Sequence, residues 1–480
     1  MDKEKPKKKN IKFFKFIYLL LFLSCILFCG AIYYLNVLPF KYFILVVTAA
    51  VFIIFLFALV LLNRRVKKFI KFFFSILAII IMTGLFLVSK YSFNVKGVIN
   101  DVTKKINYKT ENYDVIVLDN SNYEDIKDLE NKELGYLDNG SNGIKKAKST
   151  LKKQVNTSND DYDDVAKLSN DLLNKKIDAI LVEETYKSIL DEESDKFKSS
   201  TKVLYEFSVK IPEEKNSKKV DVTKEPFNVY ISGIDTYGKI TSVSRSDVNI
   251  IATVNPQSGH VLLTSVPRDY YVQLRGTTGL KDKLTHAGIY GVEKSVGTLE
   301  DLINIKINYY LKVNFTSVVK IVDTLGGITI HSDYNFISQD GFKYVKGDNK
   351  VNGERALSFA RERHSFNSGD IQRGKNQMYV IQGMADELMS FSSVTKFNSL
   401  LSDLDGTFET NISSDEISKL IKMQIDKNIN WNIENNTLDG TGAKKVTYTA
   451  KSTKAYVMVP DVVSVASATT KIEKVMHEKN

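Results

Sequence analysis

The stretch "SRSDVNIIATVNPQSGHVLLTSVPRDYYVQL", residues 244–274, decides the reading of the fold. Two apolar runs, 248–254 and 260–266, flank the turn "NPQSG". Val, Ile and Leu runs on either side of an Asn-Pro and a Gly predict a β-hairpin. The runs are apolar at successive rather than alternate positions, so each strand is expected to be buried on both faces. This places the hairpin in a central sheet with helices on both sides, an α/β/α arrangement. Its open end carries Arg245, Asp247, Arg268 and Asp269. Counted outward from the turn, Asp247 falls opposite Arg268.

Just upstream, the strand "FNVYISGID" (227–235) ends in Asp235. If it lies antiparallel to the hairpin, Asp235, Arg245, Asp247, Arg268 and Asp269 meet at one end of the sheet. Downstream, the pattern predicts a helix at about 288–304, a strand at 307–314 and a helix at 316–325, then "GG" and a strand at 328–332. Helices are expected over 352–363 and 370–390, the second with Asp370 as its N-cap. The last 90 residues should add two or three helices and two strands, "KKVTYTA" and "KAYVMVPD".

The chain has 66 Lys and Arg, of which only nine are Arg, so ordinary solubility is met with Lys. Seven of the nine, Arg245, Arg268, Arg275, Arg355, Arg361, Arg363 and Arg373, fall within 245–373. A guanidinium grips phosphate or carboxylate through two parallel hydrogen bonds and stays charged when partly buried. Arg373 and Gln377 share a helix face by their spacing. Arg361 and Arg363 share a direction only if the chain is extended between them. Two carboxylates among several arginines fit a diphosphate, whose oxygens take a hard divalent cation as well as guanidinium groups. No GxxxxGK[ST] or HExxH occurs, and the five His lack metal spacing. Arg275 and Arg355 read as structural.

Residues 1–90 hold 14 Lys or Arg and two acids, while the rest of the chain holds 52 and 54. The basic excess therefore belongs to the most apolar part, which argues against nucleic acid as a partner. Three apolar runs, 16–38, 42–62 and 69–89, are each long enough to span a bilayer. Lys residues before the first run, and Arg64, Arg65, Lys67, Lys68 and Lys71 between the second and third, place those ends in the cytoplasm. Residues 91–480 are then expected outside, on a multi-pass membrane protein. Cys25 and Cys29 both lie in the first run, so no cysteine faces the exterior. Lys- and Asn-rich composition without disulfides fits a Gram-positive source.

Beyond a connector at 91–106, residues 107–210 alternate short apolar strands with polar helices, a small α/β accessory domain without evident site chemistry. The charged stretch 210–226 links it to the last domain, 226–480.

Five segments in order, "FNVYISGIDTYG", the hairpin "SRSDVNIIATVNPQSGHVLLTSVPRD", "KDKLTHAGIYG", "NYYLKVNFTSVVKIVDTLGGI" and "ALSFARERHSFNSGDIQRGKNQ", resemble the LytR–CpsA–Psr (LCP) family over about 226–390. The three spans and extra domain are similar to the CpsA proteins of streptococcal capsule loci. The resemblance implies a phosphotransferase that moves a capsular or other wall glycan phosphate from an undecaprenyl-diphosphate carrier to peptidoglycan, at the 6-hydroxyl of N-acetylmuramic acid. It also implies Mg²⁺ or Mn²⁺ held by Asp235 and Asp247, with Arg245, Arg268, Arg361, Arg363 and Arg373 on the diphosphate beside Gln377. Asp370 matches a motif acid. Lys375 departs from the arginine common in relatives but keeps the charge. The implied partners are the lipid-linked glycan, peptidoglycan, the bilayer and capsule synthesis proteins. The general base is Asp235 or Asp269, and the apolar groove expected for the prenyl chain has no sequence address. Two alternatives stay open: a non-catalytic regulator that binds lipid-linked glycan, and a polyprenyl-diphosphate hydrolase.

Overall fold

The computed structural model describes residues 9–103, 108–138, 140–193, 195–212, 217–237, 240, 244–366, 369–389 and 408–479. They form two compact units: residues 1–102 with 413–430, and 103–412 with 431–480.

In the first unit, the helices Lys9–Leu35, Phe40–Leu61 and Lys68–Val102 are long and apolar enough to cross a membrane. The third runs well beyond its apolar stretch, so much of the expected connector is helical. The amphipathic helix Ser414–Lys427 belongs to this unit. Its Asp426 pairs with Lys41 at 2.5 Å, and its Lys422 donates to Asn36 at 2.6 Å.

Among the described residues the second unit holds two large sheets and four two-stranded ones. Residues 108–212 build a mixed five-stranded sheet with Glu133–Leu137, Ala179–Glu183 and Tyr108–Leu118 as inner strands. Helices Val165–Leu173 and Glu184–Glu193 bury Val165, Leu168, Leu172, Ile189 and Leu190 against it. One of the polar segments between its strands is only a short 3-10 turn, Ile126–Leu129.

The larger sheet has six strands, in the order Phe408–Thr410, Tyr309–Asn314, Phe227–Ile234, Val248–Asn255, His260–Ser265 and Asn432–Thr437. It is mixed: 309–314 runs parallel to 227–234, and 432–437 parallel to 260–265. The hairpin occupies the centre as expected, with Ile250 opposite Ser265. Gly233 lies opposite Val248, so the end of 227–234 meets the start of the hairpin. The C-terminal expectation needs correction. The strand Ala455–Pro460 lies where "KAYVMVPD" was expected, but "KKVTYTA" is strand only at its first two residues, the end of Gly440–Lys445, and the polar edge strand "NIENNT" (Asn432–Thr437) is additional. An edge strand has one neighbour and little burial, so it needs no apolar alternation.

The two faces of this sheet differ. One packs solidly: Tyr230, Ile251, Leu262 and Tyr310 meet Leu299, Ile303, Ala468 and Ile472 of the helices Val292–Ile303 and Val462–His477. The other faces the helices Phe315–Leu325, Gly353–Arg361 and Asp370–Met389, which have a core of their own around Val322, Phe359 and Val380. Between these helices and the sheet lies a cavity of about 600 Å³.

Candidate functional site

The cavity lies over the carboxyl ends of two parallel strands, where α/β sheets commonly bind ligands. Side chains at alternate positions of a strand share one face. Ile231 and Gly233 of one strand and Leu311 and Val313 of its neighbour therefore form the floor. Asp235 continues the same face just past the strand end. The helix Asp370–Met389 supplies a wall whose character changes along its length. Arg373 and Gln377 come first, then Ile381, Met384 and Leu388 at helical spacing. One end of the cavity is thus charged and the rest apolar.

The charged end gathers Asp235, Arg245, Asp247, Arg268, Arg361, Arg363, Arg373 and Gln377 on one wall system. Asp247 and Arg268 make an ion pair at 2.6 Å, in the register counted from the turn. The backbone N–H of Asp247 donates to Gly233 O at 2.9 Å and fixes that corner. The helix Gly353–Arg361 stops at Arg361 because Glu362 takes an extended conformation, φ −66° and ψ 128°. That single extended residue lets Arg361 and Arg363 both reach the cavity. Burial works against ionisation of Glu362, but backbone N–H groups of Gln339, Ser365 and His364 donate to it and hold its carboxyl below the usual range. Arg361 also lies over the ring of Phe315, 4.5 Å from its centroid.

Asp235 opens onto the cavity, yet the surrounding walls desolvate it and lift its carboxyl above the ordinary aspartate range. The charge of Asp247 adds to the rise, while Arg361, Arg245 and Arg268 oppose it. Two like charges side by side repel, and a divalent cation between them would relieve that repulsion. Among the described residues no cluster of three or more His, Cys, Asp or Glu could enclose a metal. The pair fits a hard cation completed by water and ligand phosphate rather than a closed protein cage.

Asp269 takes a different place from the other expected site residues. It is buried and absent from the cavity wall, between Arg268 Nε at 3.6 Å and Lys283 Nζ at 3.5 Å. Arg268 and Asp269 sit in a turn closed by the Tyr270 N–H on Pro267 O at 3.2 Å, and Lys283 holds the Asp269 carboxylate off the cavity. Asp370 is the first residue of its helix, and its side chain lies outside the described residues.

Sequence reading missed what holds the site. Ser246, between Arg245 and Asp247, turns to the packed side of the sheet. Its hydroxyl lies 2.7 Å from Tyr230 Oη and 2.8 Å from Ser232 Oγ, and it donates to Asn249 Oδ1 at 2.9 Å. Asn249 Nδ2 returns a bond to Ser246 O at 3.0 Å. The alternation Arg-Ser-Asp was the signal: if the outer two face the ligand, the middle one faces the core. Asp340, a further acid on the cavity wall, had no such signal.

The cavity therefore sets arginines and carboxylates at one end against an apolar remainder. The sequence profile of the LytR_cpsA_psr family matches residues 192–464. The chain is 36% identical over 200 residues to the polyisoprenyl-teichoic acid–peptidoglycan teichoic acid transferase TagU of Enterococcus faecalis, covering 41% of this chain and 65% of that one. It is 35% identical over 234 residues to the protein of that name in Bacillus subtilis, covering 48% and 74%. The crystal structure of B. subtilis TagU superposes with a TM-score of 0.42 at 31% identity, over 54% of this chain and 99% of that one. The chain belongs to the LytR_cpsA_psr family.

Proposed function

We propose that this protein transfers a capsular or other wall glycan phosphate from a polyprenyl-diphosphate carrier to a peptidoglycan hydroxyl, outside the cell membrane. The observation that carries the reading is the single cavity that joins an apolar bore to a cluster of guanidinium groups. The bore offers the prenyl chain burial at roughly 25 cal/mol per Å². The names of the relatives, transferases that use a polyisoprenyl carrier, point the same way.

In this reading Arg245, Arg268, Arg361, Arg363 and Arg373 bind the diphosphate and stabilise the charge that builds as the bond to the leaving phosphate lengthens. Gln377 adds a neutral donor. Asp235 and Asp247 would hold Mg²⁺ or Mn²⁺, which supplies charge neutralisation on the phosphate oxygens. Asp247 is already paired with Arg268, whereas Asp235 faces the open cavity. Of the two expected bases we favour Asp235, which would accept the proton of the attacking sugar hydroxyl on the carboxylate oxygen it does not give to the metal. Asp269 acts by orienting Arg268.

The test is a full-length preparation in detergent, given labelled polyprenyl-diphosphate-linked glycan and peptidoglycan. Label on peptidoglycan supports transfer. Free glycan phosphate alone would make the protein a hydrolase, and binding without turnover would make it a regulator. Location is tested on intact protoplasts: added protease should digest residues beyond 103, and protection there would overturn the external placement.

A further inference from the structure

A short segment, residues 282–291, touches both the accessory domain and the active-site backbone. Gly288 packs directly behind the backbone of residues 244–246. A Cβ there would lie 2.5 Å from Ser244 O and 2.8 Å from Ser246 N, so the close approach needs glycine. Thr285 binds the same region from both sides: its carbonyl accepts from Ser246 N–H at 3.1 Å, and its N–H donates to Arg268 O at 2.9 Å. The next residues point the other way. Ile289, with Tyr290 packed beside it, is buried in the hydrophobic cluster of the accessory domain, among Val165, Tyr186 and Ile189.

A second strand of contacts closes the joint. Ala450 is buried in that same accessory cluster. Asp164, the N-cap of the accessory helix Val165–Leu173, accepts from Lys451 N–H at 3.2 Å and from the Ser452 hydroxyl. Thr449 donates through N and Oγ1 to the fully buried Asp282, at 3.0 and 2.5 Å. Asp282 also holds His286 at 2.7 Å. The path from Asp164 to Ser246 and Arg268 is thus continuous packing and hydrogen bonding.

We propose that the accessory domain is a positioning device for the phosphate-binding arginines. Docked on Ile289, Tyr290 and Ala450, it presses the 285–288 segment against the backbone of 244–246 and of Arg268. Thr285 and Gly288 are positioning residues that act through Arg245, Asp247 and Arg268. The proposal takes the roles of those three from the function proposed above. It assigns the accessory domain a task in turnover without a ligand of its own.

The test uses the full chain. Ala450→Arg wedges the joint open while leaving each domain's remaining core in place, and Ala450→Ser is the conservative control. Amide hydrogen exchange is followed at residues 244–247, and turnover of a polyprenyl-diphosphate-linked glycan is followed in parallel. In Ala450→Arg, exchange at 244–247 should rise about tenfold, and turnover should fall on the order of tenfold to a hundredfold, the effect of displacing a reacting group by about 1 Å. Ala450→Ser should leave both at wild-type values. Increased exchange in 165–173 with wild-type protection at 244–247 would overturn the proposal. Should Ala450→Arg not fold, Ile289→Ala trims the same contact, and unchanged exchange at 244–247 there overturns it equally. Exchange needs no substrate, so a wild-type protein that exchanges as expected but transfers nothing refutes the proposed function and leaves the mechanical coupling standing.

Discussion

Arg268 and Arg275 stand seven residues apart, and they answer to different constraints. Arg268 pairs with Asp247 at 2.6 Å on the wall of the cavity. Arg275 is exposed and forks onto Asp301 at 2.5 and 2.6 Å, with Glu300 beside it. Arg355 also serves its own surroundings, without a carboxylate: it donates to Lys343 O at 2.9 Å and lies over the Tyr344 ring. Arginine enrichment alone therefore does not mark a site. The cavity arginines converge from three separate parts of the chain on one space. The other two brace their own surroundings. Exposed ion pairs of that second kind contribute about 0–1 kcal/mol, so little depends on the guanidinium itself.

The comparison is most exposed at the carboxylates. Asp235→Ala or Asp247→Ala should lower turnover by on the order of a hundredfold or more, because each removes a group aimed at charge developing in the reaction. Calorimetry with Mg²⁺ should show weakened binding in both. Full activity of the wild type in EDTA would sink the metal role.

Next come Arg268→Lys and Arg363→Lys. Losing one charge-assisted bidentate contact should cost about 1.5–3 kcal/mol, a tenfold to hundredfold loss in turnover or affinity. The melting temperature should stay near that of the wild type. Arg363, exposed at the cavity, gives the cleaner result. Loss of activity through unfolding would move both residues into the structural class with Arg275.

Ala385→Trp tests the apolar bore. Filling it should exclude about 60 Å² of prenyl surface, worth ~1.5 kcal/mol and so about tenfold in KM for a long-chain carrier. A carrier with only two or three prenyl units should be spared. Equal loss with both carriers would show that the chain binds elsewhere.

Smallest of all, Arg275→Lys and Arg355→Lys should leave turnover within about 0.5 kcal/mol of wild type. A large effect from either would erase the distinction between the two groups of arginines.

Much of this was legible before any fold was known. The both-sided apolarity of 248–254 and 260–266 placed the hairpin at the centre of the sheet, because only a strand covered on both faces can be apolar throughout. The turn position set the register, and with it the pairing of Asp247 with Arg268. Lys-for-solubility usage singled out seven arginines, and three apolar runs identified the helices able to cross a membrane. These are local properties, carried by period, spacing and composition.

Tertiary structure decided the rest. Whether Arg361 and Arg363 share a direction turned on the extended Glu362, held by backbone donors from two separate loops. Asp269 looked equivalent to Asp235 in sequence, but a buried Lys283 draws it off the cavity. The bore exists because helices 315–325, 353–361 and 370–389 cover the sheet without filling the space against it, and no single segment records a gap between segments. The seat of the accessory domain on Ile289, Tyr290 and Ala450 is of the same kind. Contacts between residues more than a hundred positions apart are fixed by packing, which acts only once the chain has folded.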